Sequence, residues 1–162
     1  MFLNMDDYKK LFFKNRKSPR LPSYDYANHN YYFVTICTHE KHCLFGNVGK
    51  LNRYGKIAEE SIDYIRKQNV VVDQYVIMPN HVHMILVIEC GISETKKLDT
   101  VIGLYKSGVS REIHKIDSNI KVWQRSFHDH VIRNQKSYDK IWEYVTYNPQ
   151  KWEEDCFYCD AQ

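Results

Sequence analysis

His81 and His83 stand one residue apart at the start of an otherwise apolar stretch, and they are the first residues here whose type and spacing suggest chemistry. In extended backbone, residues two apart share a face. The two imidazoles would therefore lie side by side, with Val82, Met84, Leu86 and Ile88 filling the opposite face. Two imidazoles on a stiff strand can bind one divalent cation if a third ligand arrives from elsewhere. A histidine on a strand more commonly serves as a hydrogen-bonded structural side chain. Ligation gains weight because this polar pair interrupts an apolar run where local rules call for Val or Ile.

The surrounding pattern predicts how such a pair would be held. Residues 70–78 and 81–88 are two β-branched runs separated by Pro79-Asn80, which reads as a hairpin. Residues 31–38 are rich in β-formers and predict a first strand, and residues 45–50, with Gly46 and Gly49, a loop. Tyr54, Ile57, Ala58, Ile62 and Ile65 recur at helical spacing behind Asn52, a suitable N-cap. After a polar connection over 91–97, residues 98–115 predict a second amphipathic helix with Val101, Leu104, Tyr105 and Ile113 in its apolar set. Its other face carries Lys106, Arg111 and Lys115, either a solvated face or a set of phosphate contacts. Residues 122–127 predict a fourth strand.

Strand, helix, strand, strand, helix, strand is the split βαβ, ferredoxin-like arrangement of the α+β class: an antiparallel sheet with helices on one face and the other face open. His81 and His83 would sit on the open face. The chain then adds a C-terminal helix over residues 137–148, with Ser137 as its cap and Pro149 as its stop. Tyr138, Ile141, Trp142 and Val145 form its apolar stripe. Tyr144 and Asn148, four apart, lie one above the other on the flank of that stripe, while Tyr147 falls on the opposite side. If the stripe docks on the open face, Tyr144 and Asn148 are the pair able to reach the histidines. The alternative is that Tyr144 packs and Asn148 only ends a helix.

At 162 residues, 43% hydrophobic and 14% aromatic, the chain suits one domain over residues 27–162. It is preceded by a basic arm, residues 1–26, with Arg16, Lys17 and Arg20 around two prolines. The net charge of +3 is compatible with nucleic acid without requiring it. The short apolar runs and the charged N-terminus predict no membrane association and a cytoplasmic location. Five cysteines in irregular positions do not read as a secreted disulfide framework. Neither Cys156-x-x-Cys159 nor the group Cys37, His39, His42 and Cys43 has the second half of a structural zinc site.

Three motifs together resemble the REP-associated tyrosine transposases, relatives of the small single-tyrosine insertion-sequence transposases of the HUH class. They are Met78-Pro79-Asn80-His81-Val82-His83, the run from Trp123-Gln124-Arg125 to Arg133-Asn134, and Glu143-Tyr144-Val145-Thr146-Tyr147-Asn148-Pro149 with Trp152 after it. Arg20-Leu21 with Tyr24-Asp25-Tyr26, and the first strand, resemble one branch of that family. The resemblance implies a ferredoxin-like fold, a divalent metal (Mg or Mn), and cleavage and rejoining of single-stranded DNA near a hairpin through a 5′-phosphotyrosine. It implies His81, His83 and Asn148 as metal ligands and Tyr144 as nucleophile. Arg16, Lys17, Arg20, Lys106, Arg111 and Lys115 are then the expected DNA contacts, in a monomer or homodimer. His128 and His130 would either orient phosphate or Tyr144 or be structural.

Three other readings stay open. A replication-initiation or conjugative HUH nuclease would use the same chemistry but is usually longer. An RNA-binding ferredoxin-like module would carry aromatic residues where this chain has His-Val-His. A domesticated, inactive protein would still bind hairpin DNA.

Overall fold

The strand that carries both histidines lies inside the sheet and is buried along its whole length, as an uninterrupted apolar run requires. The computed structural model describes residues 30–88 and 96–159. In chain order these form β1 (Asn30–Cys37), a short hairpin of β2 (Gly46–Asn47) and β3 (Lys50–Leu51), α1 (Arg53–Arg66), β4 (Val71–Met78), β5 (His81–Ile88), α2 (Leu98–His114), β6 (His128–Ile132) and α3 (Gln135–Tyr147), with a 3-10 segment, Asn148–Glu154, after it. The main sheet has the order β4-β5-β1-β6, antiparallel throughout, which is the ferredoxin-like topology expected. The basic arm, with Arg16, Lys17 and Arg20, lies outside the described residues. No described helix is long and apolar enough to cross a membrane.

Alternation along the strands sorts the core into two layers. Val34, Ile36, Val82, Met84 and Leu86 pack with Ala58, Ile62 and Ile65 of α1 and Val101, Tyr105 and Val109 of α2. Phe33, Cys37 and Ile85 face the other way, and α3 covers them with Ile141 and Val145. Burying those two anchors contributes roughly 1.5–3 kcal/mol each toward seating this 13-residue helix. Gln74 Nε2 donates to Thr146 Oγ1 at 2.9 Å, and Tyr138 donates its hydroxyl to Asp73, tying the same helix to β4. Asn52 caps α1 as expected, its Oδ1 accepting from the backbone N–H of Tyr54 and Gly55.

Several expectations are corrected. The fourth strand is not residues 122–127 but His128–Ile132, which pairs with β1 from Tyr31↔Ile132 to Thr35↔His128. Trp123 makes only a bridge to Thr38; its indole N–H donates to the Lys106 carbonyl and its ring packs on Phe45 and Tyr105. The β-forming aromatic run is thus a plug in the helical layer, where packing overrides local propensity. Residues 45–50 hold the β2–β3 hairpin rather than an unstructured loop.

The last helix begins at Gln135, capped by Asn134, whose Oδ1 accepts from Ser137 N–H at 2.9 Å, so Ser137 is not the cap. Trp142 is 38% exposed and drops out of the buried stripe, which rotates toward Tyr144. The α-helix ends at Tyr147, just before Pro149 as expected, and the 3-10 segment Asn148–Glu154 follows it. Cys43 and Cys159 form a disulfide, fastening the end of the described chain near the turn after β1.

Candidate active site

β5 places His81 and His83 on the face covered by α3, their ring centroids 4.4 Å apart and both side chains without exposure to solvent. Each ring is oriented through its Nδ1. His81 Nδ1 is 2.8 Å from Asn80 Oδ1, and His83 Nδ1 is 2.8 Å from Thr35 Oγ1 across the β1–β5 ladder. The amide oxygen of Asn80 only accepts, so His81 donates from Nδ1 and its Nε2 is left with a bare lone pair. Asn80 is itself held, its amide donating to the carbonyls of Phe157 at 2.8 Å and Lys41 at 3.1 Å.

α3 and the 3-10 segment bring three more groups to the rings. Tyr144 packs edge-on to His83 and Phe33; its hydroxyl lies 3.4 Å from His83 Nε2 and donates to Asp155 Oδ2 at 3.1 Å. Asn148 is buried one turn later, and its Nδ2 donates to the same Asp155 oxygen. His81, His83 and Asp155 offer ligand atoms all within 4.8 Å of one another. The four residues expected from sequence to share a site are therefore brought together.

Asp155, Asn80 and Thr35 were not anticipated. Asp155 is brought back by the 3-10 segment after α3, a consequence of three-dimensional folding that spacing does not display. Asn80 had a signal, since it directly precedes His81, but its turn role masked it. Lys106, Arg111 and Lys115 belong to α2, which packs on the opposite face of the sheet. Lys106 donates to the carbonyls of Gln124, Arg125 and Ser126, and Arg111 and Lys115 pair with Glu112. His128 and His130 sit on β6 opposite Thr35 and Phe33, hence on the face of the histidine pair.

Two buried polar atoms here have no hydrogen-bond partner among the described residues: His81 Nε2 and Asn148 Oδ1. Both are acceptors, so they cannot satisfy each other. Leaving a buried acceptor unpaired costs roughly 1–3 kcal/mol. A divalent cation would take both lone pairs, so the residues present fit a metal. Burial pushes the His81 imidazole down to about 4, with the Asp155 carboxylate and the Asn148 side chain opposing that shift. Burial, and then the charge of His81, push His83 well below the usual imidazole range. Both rings are thus neutral near pH 7, the form that ligates.

Between pH 6.5 and 4 the unfolded chain binds a proton at His81 and the folded chain does not, so stability falls as pH falls through that window. From pH 7.5 to 5 the metal-free protein is expected to lose about 2 kcal/mol from His81 alone, readable by urea unfolding at a series of pH values.

The site is thus a His-x-His pair on one face of a ferredoxin-like sheet, closed by a helix that brings a tyrosine to it. The IS200-like transposase family model matches residues 25–148, and the chain belongs to that family. An uncharacterized protein of Haemophilus influenzae is 34% identical over 171 residues, spanning 90% of this chain and 94% of its own. The structure of a REP-associated tyrosine transposase bound to a REP hairpin superposes with a TM-score of 0.64 at 17% identity, over 84% of this chain and 74% of the other. At that identity the likeness establishes the fold.

Proposed function

We propose that the protein is a metal-dependent tyrosine transposase that cleaves and rejoins single-stranded DNA beside a hairpin. The observation that carries this reading is the pair of unpartnered lone pairs, His81 Nε2 and Asn148 Oδ1, in the pocket that also holds the Tyr144 hydroxyl. In it, His81, His83 and Asn148 hold a divalent ion, Mg or Mn, which when bound would neutralise the phosphate oxygens and make phosphorus more electrophilic. Tyr144 Oη attacks phosphorus as its phenolic proton is lost, the P–O3′ bond breaks, and a free 3′-hydroxyl leaves. The 5′-phosphotyrosine conserves the bond's energy, so a second 3′-hydroxyl can displace Tyr144 and restore the phosphodiester without ATP.

The remaining residues supply orientation and access. Asn80 and Thr35 fix the ring orientations, and Asp155 holds the phenol. The Phe157 ring lies 4.6 Å from that of His81 and forms one wall of the site. Incubation of the full chain with a single-stranded hairpin pool and Mg or Mn tests the reading: cleavage should leave product 3′ ends that a polymerase extends and 5′ ends blocked by protein. Products with free 5′-phosphates would contradict it.

Among the described residues, Lys41 puts a cation beside the site. Its ammonium lies 5.1 Å from the Phe157 centroid, and its charge bears on His81 and His128. Replacing Lys41 with Gln should weaken binding of single-stranded DNA and reduce the slope of log K against log salt by about 0.7, measured by anisotropy over a salt series.

A further inference from the structure

We infer that Asp155 is the positioning residue of this site, a single carboxylate that sets both the face Asn148 presents to the metal and the place of the Tyr144 hydroxyl; the inference rests on the metal-and-tyrosine reading above.

A primary amide has two nearly isosteric ends. Presented one way Asn148 offers an oxygen to a cation; turned by half a rotation it offers two N–H donors that repel one. Nothing in the side chain itself chooses. Asp155 Oδ2 can only accept, so it selects the amide nitrogen and leaves Oδ1 unpartnered in the pocket. The same oxygen accepts from Tyr144, which fixes the phenol relative to the ligand one turn further on. Asp155 is in turn fixed, its Oδ1 accepting from the Phe157 backbone N–H at 2.8 Å. Its buried position at the end of the 3-10 segment keeps water from competing for these bonds.

The competing role is that Asp155 is itself a ligand, since its carboxylate lies within reach of both histidines. The bonding argues otherwise. Both of its oxygens are committed to protein donors, whereas the atoms left bare are on His81 and Asn148. Groups that orient a ligand typically alter metal affinity by about 10–100-fold when removed.

The two roles differ in a double-mutant cycle read as Mn2+ affinity of the full chain without DNA, by electron paramagnetic resonance of the free ion. Asp155→Ala should weaken Mn2+ binding by on the order of tenfold, and Asn148→Ala, which removes a proposed ligand, by at least about a hundredfold. The double variant should be no weaker than Asn148→Ala alone, because without the amide there is nothing left for Asp155 to orient. Asp155→Asn, which keeps one acceptor for Asn148 but turns an amide NH2 toward the Phe157 N–H, should lose less affinity than Asp155→Ala; this arm also decides the matter if Asp155→Ala fails to fold.

Multiplicative losses in the double variant, or a loss in Asp155→Asn as large as in Asp155→Ala, would make Asp155 a ligand and overturn the inference. So would an unchanged affinity in Asp155→Ala. If the parent itself binds no Mn2+, or His81→Ala binds it as well as the parent, the metal reading fails and the inference goes with it, a result distinct from the others.

Discussion

Tyr144→Phe is expected to abolish the covalent protein–DNA adduct and to lower strand cleavage by at least on the order of 10³-fold, with DNA binding retained. The substitution removes one oxygen and leaves the ring, so the edge-on contacts with Phe33 and His83 survive. Asp155 Oδ2 keeps its bond from Asn148, so no carboxylate is stranded. The cost in folding stability should therefore be about 1 kcal/mol, the net worth of one hydrogen bond. Denaturing electrophoresis of labelled DNA reads the adduct, and anisotropy reads the binding. An adduct of undiminished yield in the Phe variant would mean that another group attacks, and Tyr147, exposed on the far side of the same helix, would be the first to examine.

His81→Ala carries the second large effect, and it has two parts with different signatures. Losing one of three proposed ligands should weaken Mn2+ or Mg2+ binding at least about a hundredfold and remove cleavage with it. The metal-free fold should respond differently. Truncation leaves a small cavity and strands Asn80 Oδ1, and removing the unpartnered Nε2 offsets only part of that cost. It also removes a group that resists protonation, so the fall in stability between pH 7.5 and 5 should shrink by about 2 kcal/mol relative to the parent. A variant that loses metal while its acid sensitivity is unchanged would show that His81 is not the buried neutral imidazole described.

Much of this was legible in the sequence because it rests on local rules. The β4–β5 hairpin follows from two β-branched runs around Pro79-Asn80, the N-cap at Asn52 from its position before a periodic run, and the pairing of His81 with His83 from strand alternation. Tyr144 above Asn148 follows from the helical repeat. The rest was set by tertiary packing. Trp123 looks like strand and becomes a core plug because its indole finds the Lys106 carbonyl. Asp155 is one acidic residue among several, seven positions after Asn148, until the 3-10 segment brings it back to the site. The basic face of α2 has the composition of a nucleic-acid surface, yet its ammonium and guanidinium groups engage carbonyls and Glu112, across the sheet from the histidines.

The most direct test of the central claim is mass spectrometry of trypsin-digested protein after incubation with a single-stranded hairpin and Mn2+. The account predicts a nucleotide-bearing peptide spanning residues 141–151, with fragmentation placing the phosphodiester on Tyr144 and not on Tyr147. Efficient cleavage with every tyrosine of that peptide unmodified, or a nucleotide attached to another residue, would contradict it.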